Sequence, residues 1–457
     1  MKTTSAKRRR STIPDELVVS EVLVRLPVKS LLRVKSVCRS WRAAVEDPSF
    51  VRRHLELSRA RTTPSVLVIP RDEDDESESE GVSFHRLVLE KDDPADVALM
   101  FDKALLPDDH LGMTNAIVPT HCDGLIALAT PTGKVFVCNP ATREFVALPP
   151  GTTGSKIDAT AVAIVGYDAW RDKYVVARYF YRRYDQCKQQ DAADIGHEIF
   201  TLGEEEDSSC WMPTADPPHA IGPSRPICTR NAFYWSTHNR KPKNALLRFG
   251  LRDRAFDVVP FPPATADFNH SVDNVAEMGG KLCYVNTATN TAFDVWVADD
   301  DDVSRIPRWS LRCRVDFDLF LFGEAVGAEA MIPVADFGDE MLLAADYRTL
   351  YSYDARQDRV VRVVDLEDEL EYDTADGDDE PCSGGLVHHV LSYAESLVPI
   401  TEAADSDAVA LVEPFVLAAL VALASPEAAT KAVKLLEPTA RKIITGDLYH
   451  HRVLLCR

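Results

Sequence analysis

In the first sixty positions of the chain, apolar residues recur at helical spacing and polar residues separate them. Pro14 suits a first helical turn, and Pro27 ends the first helix because proline disfavours helical geometry in the residue before it. Asp47 is a good N-cap in front of Pro48, so another helix begins there. Residues 13–57 are therefore predicted to form short helices, with expected extents Pro14–Leu26, Val28–Val34, Arg39–Val45 and Pro48–Leu55.

The first predicted helix is apolar around most of its circumference. Its apolar positions leave only a narrow polar strip, and they are Leu17, Val18, Val19, Val22, Leu23, Val24 and Leu26. Packing inside one small helical unit needs a narrower apolar stripe, and a unit of about 45 residues is marginal by itself. Exposed apolar patches of this kind mark protein partners, so the stretch predicts a protein-binding surface.

From about residue 115 to 400 the pattern changes to short β-type runs that alternate with turn residues. Clear examples are Lys134–Cys138, Tyr174–Tyr179, Ala232–Trp235, Ala292–Val297 and Leu350–Tyr353. Few helical patterns interrupt them. Short strands at regular spacing are typical of an all-β sandwich, barrel or propeller.

A weak internal repeat favours the propeller. A β run ends at Asn139, Gly250 or Asp354, a polar turn follows, and an apolar residue returns six positions later; Asp168 opens a turn of similar spacing. This is the pattern of a β-hairpin. The wide gaps leave room for unrecognised copies that end near Trp211 and Trp309. Propeller blades take roughly 40–50 residues, so this region predicts about six blades.

Two further stretches have a composition of their own. Residues 71–80 are strongly acidic and are expected to form a solvated loop in a linker. After residue 400 the pattern predicts a helical segment, in which the uninterrupted apolar run Phe415–Ala424 is far shorter than the ~20 residues of a membrane helix. The sequence therefore predicts no membrane association.

The net charge of −21 is unevenly distributed. Residues 1–61 carry fifteen basic and six acidic side chains, a balance of +9, so the remainder carries −30. An acidic body argues against nucleic-acid binding, and a basic head attracts an acidic partner. The ten cysteines form no C-x-x-C pair, and Lys2 and Lys7–Arg10 are not followed by the apolar run of a signal peptide. A reducing compartment is expected, cytoplasm or nucleus, with Lys7–Arg10 either an import signal or a plain basic tail.

Catalytic chemistry finds no support in the sequence. The G-x-S-x-G, P-loop and G-x-G-x-x-G fingerprints are missing. His388 and His389 are adjacent on a predicted strand, so their side chains point to opposite faces and do not share a metal. Asp299–Asp302 lacks the alternating spacing and the glycine of a calcium loop. The sequence predicts a non-catalytic protein without cofactor or metal, in which Trp211, Trp235, Trp296 and Trp309 serve core packing.

The N-terminal stretch resembles an F-box. Ile13-Pro14 at the start, Leu26-Pro27 after the first helix, Val37-Cys38 and then Trp41 follow the order of that motif, and Leu26–Leu32 is close to the plant version. The body resembles the F-box-associated, kelch-like domain of the same plant family. The supporting motifs are Cys122–Ile126, Asn139–Phe145, Gly166–Asp168, Phe233–Trp235, Asp294–Val297 and Tyr393–Val398.

The resemblance implies a substrate-recognition subunit of a cullin-based (SCF-type) ubiquitin ligase. The F-box would bind a Skp-type adaptor and, through it, a cullin, while the β domain would bind a target protein that the sequence does not identify. The residues expected to form or support the adaptor surface are Pro14, Leu17, Val22, Leu23, Leu26, Pro27, Leu31, Val37 and Trp41. Two alternatives stay open: an F-box scaffold outside a ligase, and a propeller that binds carbohydrate.

The expected fold class is α+β multidomain. Residues 1–11 form a disordered basic tail in this scheme, and residues 12–58 form the F-box. Residues 59–114 form a linker with the acidic loop and the first β elements. Residues 115–400 form the propeller-like domain, and residues 401–457 form the C-terminal helical segment.

Overall fold

The computed structural model describes residues 15–61, 65–72, 81–89, 96–104, 118–130, 133–153, 162–183, 194–203, 210–222, 224–237, 245–262, 274–289, 292–299, 306–316, 332–345, 347–370 and 386–400. The basic tail and the predicted C-terminal helical segment lie outside them. Within the described residues the chain forms two compact units. One is helical and contains residues 15–61 together with Glu395–Leu397. The other holds the strands and ends with residues 398–400.

The helical unit follows the predicted pattern closely. Its elements are α1 (Asp15–Leu17), a π-helical turn (Val18–Val22), a 3₁₀ turn (Leu23–Arg25), α2 (Val28–Val34), α3 (Arg39–Glu46) and α4 (Pro48–Arg59). The first predicted helix is thus irregular, while α2 has the predicted bounds. At the start of α4, Asp47 Oδ1 accepts from the amide of Ser49 at 2.8 Å and also from its hydroxyl. These hydrogen bonds lower the pKa of Asp47.

The described part of the second unit contains 24 strands. The first twelve are β1 (Ser65–Asp72), β2 (Gly81–Val88), β3 (Asp96–Ala104), β4 (Thr120–Cys122), β5 (Leu125–Ala129), β6 (Val135–Asn139), β7 (Glu144–Ala147), β8 (Ala163–Asp168), β9 (Lys173–Arg183), β10 (Asp194–Thr201), β11 (Met212–Pro213) and β12 (Ile227–Cys228). The others are β13 (Ala232–Ser236), β14 (Ala245–Gly250), β15 (Phe256–Pro260), β16 (Asn274–Met278), β17 (Lys281–Thr289), β18 (Ala292–Asp299), β19 (Arg308–Asp316), β20 (Ile332–Asp336), β21 (Glu340–Ala345), β22 (Thr349–Asp354), β23 (Arg359–Asp365) and β24 (Leu386–Ser392). A short helix, α5 (Leu366–Glu369), follows β23.

The strands form six antiparallel sheets of four, which are the blades of a propeller. Blades 2 to 6 each take four consecutive strands, from β4–β7 to β20–β23. Blade 1 has the order β24-β1-β2-β3, so the last of the described strands pairs with the first. Their ladder runs from Val66↔Ser392 to Asp72↔Leu386. This pairing closes the ring of blades.

The propeller starts earlier than the sequence predicts. The expected boundary at residue 115 assigns β1, β2 and β3 to a linker, whereas the structure makes them three of the four strands of blade 1. The physical reason is that their fourth partner, β24, lies at the other end of the domain. A pattern read along the chain does not display that pairing.

The predicted hairpin repeat is confirmed. The turns at Asn139, Gly250 and Asp354 each join the third and fourth strands of a blade, in blades 2, 4 and 6. Four residues later the backbone has positive φ, at Arg143 (65°), Arg254 (52°) and Asp358 (49°). Side-chain oxygens close two of the turns, because Asn139 Oδ1 accepts from Ala141 N and Asp354 Oδ1 from Arg356 N. The turn at Asp168 instead joins the first two strands of blade 3.

The two copies expected near Trp211 and Trp309 correspond to the strand pairs β10–β11 of blade 3 and β18–β19 of blade 5, whose turns lie largely outside the described residues. Both tryptophans make the same contact with the preceding blade. Trp211 Nε1 donates to the carbonyl of Pro149 at 2.7 Å, and Trp309 Nε1 donates to that of Pro260 at 2.9 Å. Each carbonyl belongs to the proline-rich end of the neighbouring outer strand. The tryptophans therefore join blade 2 to blade 3 and blade 4 to blade 5.

Apolar side chains fill the spaces between blades. One cluster between blades 3 and 4 contains Phe233, Trp235, Leu247 and Phe249, all with 1% exposure or less. The junction of blades 2 and 3 also holds a buried ion pair, in which Arg178 Nε donates to Glu198 Oε1 at 2.7 Å. Arg178 Nη2 also donates to the carbonyl of Thr152, and Glu198 Oε1 accepts from the amide of the same residue. These partners satisfy charges that would otherwise be costly to bury.

The three longest outer strands each contain a β-bulge. The pairing of β3 with β2 skips Met100, that of β19 with β18 skips Arg312, and that of β23 with β22 skips Val363. The shorter outer strands β7 and β15 pair without a shift. Bulges twist a strand locally and interrupt its row of hydrogen-bonding groups.

Candidate adaptor-binding surface

The residues predicted for the adaptor surface fall into two groups. Pro14 lies outside the described residues. Leu17 is 52% exposed, and Val22, Pro27 and Val37 are half-buried. The others form the core of the helical unit and have at most 5% exposure: Leu23, Leu26, Leu31 and Trp41. The first group can touch a partner directly, and the second supports it from below.

The Leu26-Pro27 pair forms a fixed corner between the first helical segment and α2. Leu26 N donates to Leu23 O at 3.0 Å, and Pro27 O accepts from Ser30 N and Leu31 N. Pro27 itself provides no side-chain cap for α2. The corner is therefore held by backbone hydrogen bonds and by neighbours from elsewhere in the unit.

His54, on α4, is one of those neighbours. Its Nε2 lies 3.0 Å from the carbonyl oxygen of Leu26. Because a carbonyl only accepts, this nitrogen carries the proton. Burial lowers the pKa of His54, and the hydrogen bond to Leu26 opposes that change. The sequence pattern does not reveal this role, because nothing in the sequence of α4 indicates that the His54 side chain contacts Leu26.

An open groove of about 700 Å³ lies on the helical unit. Val24 and Phe50 form part of its lining, and charged groups of Glu21, Arg25 and Arg53 border it. Val24 belongs to the apolar face seen in the sequence, but Phe50 was not predicted to take part. The signal that could have found Phe50 is the four-residue spacing on α4, which places Phe50, His54 and Ser58 on the same buried face of the helix.

Exposed positive charge surrounds this surface. Lys29, Arg33 and Arg39 are exposed on α2 and α3. Exposed ion pairs such as Arg53–Glu56 at 2.9 Å contribute little stability. The basic character expected for the head is thus displayed on the described part of the helical unit, where it can steer an acidic partner.

The propeller carries a separate small cavity of about 50 Å³ between its inner strands, lined by apolar residues and a few polar ones. His121, Arg225 and Glu277 are among its lining residues. Arg225 Nη2 lies 3.1 Å from His389 Nδ1, which accepts the hydrogen bond. Burial, followed by the charge of Arg225, lowers the pKa of His121 to about 4. His121 is therefore neutral at neutral pH.

The described residues contain no cluster of three or more His, Cys, Asp or Glu side chains with the geometry of a metal site. His388 and His389 lie on β24 and contact different groups, as their adjacency predicts: His388 Nδ1 lies 3.0 Å from Tyr347 O, and His389 meets Arg225. In this part of the chain, no helix combines the length and apolarity needed to cross a membrane.

A small helical module with a partly apolar surface, followed in sequence by a six-bladed propeller, is the architecture of F-box proteins with a propeller domain. A sequence model of the F-box-like family matches residues 11–56, and one of the F-box associated beta propeller domain matches residues 88–313. The chain belongs to the plant F-box proteins that carry this propeller domain.

Known relatives agree with this assignment. An F-box/kelch-repeat protein of Arabidopsis thaliana is 32% identical over 63% of this chain and 69% of its own length. An F-box/LRR-repeat/kelch-repeat protein of the same plant is 27% identical, over 56% of this chain and 68% of its own. A further F-box/kelch-repeat protein is 26% identical, and the chain spans 65% of that relative's length.

Proposed function

We propose that this protein is the substrate-recognition subunit of a cullin-based ubiquitin ligase. The observation that carries the proposal is the pairing of an F-box-like helical module with a propeller in one chain. In this arrangement the helical module binds a Skp-type adaptor, which binds a cullin, and the propeller binds the target. The protein presents the target and performs no bond chemistry itself.

The adaptor contact is made by the accessible part of the predicted surface. Leu17 is the most exposed apolar side chain there, and Pro27 and Val37 are partly accessible. Full burial of a leucine of this exposure favours binding by roughly 0.8–1.5 kcal/mol, about half the value for a fully exposed leucine. The positive charges of Lys29 and Arg33 speed the encounter with an acidic adaptor.

The propeller offers a preorganised contact for a target at Trp170. This is the most exposed of the six tryptophans, with 51% of its surface accessible. The guanidinium carbon of Arg252 lies 4.1 Å from the centre of its ring. Arg171, which bonds to the carbonyls of Leu251 and Arg252, fixes the two turns that carry the pair. Rigid Trp and Arg side chains are typical interface hot spots.

Binding of a purified Skp-type adaptor tests the adaptor assignment. We expect the full chain to bind, and Leu17→Asp to weaken binding at least about tenfold, because a charge replaces a buried leucine. Leu99→Asp is the matched control, since Leu99 on β3 is also an exposed leucine, at 56%. Equal binding of all three proteins would remove Leu17 from the interface, and no binding of the unaltered chain would overturn the proposed function.

Recovery of a cullin separates the ligase from a scaffold acting outside it. We expect the chain, purified from plant cells with its adaptor, to bring a cullin with it and Leu17→Asp to lose both. Adaptor without cullin would contradict the ligase assignment. For the target, proximity labelling is expected to give partners that depend on Trp170 and are unaffected by Val258→Ala, a control at another exposed apolar side chain.

A further inference from the structure

Three residues that follow the last strand of the propeller are buried in the helical unit. Glu395 and Leu397 have 7% exposure, and Ser396 is fully buried. They form one compact unit with residues 15–61. The family motif Tyr393–Val398 directly follows β24, and its central residues 395–397 contribute to a module encoded near the N-terminal end of the given sequence.

Glu395 makes a direct contact at the Leu26-Pro27 corner. Its Oε2 accepts from the backbone amide of Val28 at 3.2 Å, across 367 positions of sequence. Pro27 provides no side-chain acceptor for this amide. Buried backbone N–H groups are nearly always paired, and here the acceptor comes from the far end of the chain.

His54 holds the same corner from another direction. Its Nε2 donates a hydrogen bond to the carbonyl of Leu26. Two residues further on, the amide of Val28 donates to Glu395. The charge of Glu395 raises the pKa of His54, in opposition to burial. The carboxylate is therefore close enough to both the histidine and the corner to act on each.

We propose that Glu395 is a positioning residue for adaptor binding, which fixes the Leu26-Pro27-Val28 backbone. The inference rests on the proposed function, because the corner belongs to the expected adaptor surface. Its consequence is that residues 15–61 do not form the finished docking module by themselves. The chain completes the adaptor surface only after the strand that closes the propeller has been made.

A purely structural role for Glu395 would predict a different result. General loss of packing would lower the stability of the whole helical unit, whereas loss of one acceptor loosens the corner and changes the neighbouring histidine. Two local readouts distinguish these cases. One is hydrogen exchange of the peptide that contains the Val28 amide, and the other is the pKa of His54, measured by exchange of its ring C2 proton.

The experiment uses the full chain and compares Glu395→Ala, Glu395→Gln and the control Glu369→Gln, at an exposed glutamate of α5. We expect Glu395→Ala to weaken adaptor binding about tenfold, the equivalent of ~1.4 kcal/mol. Glu395→Gln keeps an amide oxygen as acceptor and should lose less. Exchange at Val28 should speed up in Glu395→Ala, the pKa of His54 should fall in both variants, and Glu369→Gln should behave as the unaltered chain.

The outcomes separate the two proposals. If the unaltered chain does not bind the adaptor, the proposed function fails, whereas the Val28 and His54 readouts still test the contact. If it binds, and Glu395→Ala binds equally well, the positioning role is overturned. Should Glu395→Ala unfold the helical unit, Glu395→Gln decides: weaker binding with a lower pKa of His54 supports the inference, and unchanged binding with an unchanged pKa contradicts it.

Discussion

The helical unit and the propeller use their buried residues differently. In the helical unit, Leu26 and Leu31 are interior residues directly below the expected contact surface. In the propeller, the buried cluster of Phe233 and Leu247 extends to Leu251, whereas Trp170 and Arg252 themselves lie at the surface. We therefore expect stability and recognition to be coupled in the first unit and more separable in the second.

The two units also differ in how they are completed. The propeller closes through a whole strand, with β24 paired to β1 along seven residue pairs. Among the described residues, the helical unit takes Glu395–Leu397 from the distant part of the chain. A strand that is removed leaves an entire ladder open, whereas a missing acceptor leaves one amide unpaired. This difference in scale orders the predictions that follow.

The largest expected effect is truncation after residue 385. Without β24, blade 1 loses its innermost strand, so we expect the cooperative unfolding transition of the propeller to disappear in calorimetry. Adaptor binding should weaken at least as much as in Glu395→Ala, because this truncation also removes the buried Ser396 and Leu397. Truncation after residue 400 is the control and keeps every described strand. A propeller that still unfolds cooperatively after truncation at residue 385 would refute closure by β24.

A pair of core substitutions tests the coupling of stability and recognition. Leu31→Ala and Leu247→Ala each remove a fully buried leucine, at a cost of about 2–5 kcal/mol in the free energy of unfolding. We expect Leu31→Ala to abolish adaptor binding and leave the unfolding of the propeller unchanged. Leu247→Ala should destabilise the propeller and leave adaptor binding intact. If either variant lost both adaptor binding and the stability of the propeller, the two units would not be independent.

Acid should destabilise the propeller through its buried histidines. Burial lowers the pKa of His197 to about 3 and that of His388 to about 4. When the pH drops below about 6.5, the pKa of histidine in the unfolded chain, the unfolded chain binds protons that the folded state excludes. The folded state therefore becomes less stable as the pH decreases. Between pH 7 and pH 5 each histidine contributes about 2 kcal/mol of loss.

The measurement is the free energy of unfolding of the propeller by denaturant at both pH values. His197→Phe should reduce the loss by about 2 kcal/mol, because phenylalanine suits the surrounding Trp235, Phe249 and Phe256 rings. His219→Phe, at a partly exposed histidine, is the control. A loss of stability on acidification that is as large in His197→Phe as in the unaltered chain would exclude His197 as its source.

The smallest effect concerns the contact between blades 4 and 5. Trp309→Phe keeps an aromatic ring but removes the hydrogen bond to Pro260 O, so we expect a loss of about 1 kcal/mol in the stability of the propeller. Trp170→Phe, at the exposed tryptophan, should change stability by less than about 0.5 kcal/mol. Equal stability of Trp309→Phe and the unaltered chain would mean that water replaces the indole donor without cost.

Local patterns predicted much of this fold. Pro27 and Asp47 marked helix boundaries because proline and capping act on their immediate neighbours. The hairpin repeat at Asn139, Gly250 and Asp354 was legible because each turn is set by a few consecutive residues. The repeat favours a propeller, and the length of the β region predicts about six blades, which the structure confirms.

Distant pairings could not be read in the same way. The sequence pattern places the start of the propeller at residue 115, because residues 73–80 of the acidic stretch separate β1 from β2 and the fourth strand of their blade is the distant β24. The contact of Glu395 with Val28 has no local signal either. The adaptor-surface residues remain a prediction, and the structure adds which of them are accessible and which lie beneath.

The bulged outer strands have a consequence for the protein before it meets a partner. Three long outer strands with continuous rows of free amides and carbonyls would invite strands of other copies to add on. The extra residues at Met100, Arg312 and Val363 interrupt those rows. We therefore expect a copy without a bound partner to resist edge-to-edge strand pairing with other copies, even at high protein concentration.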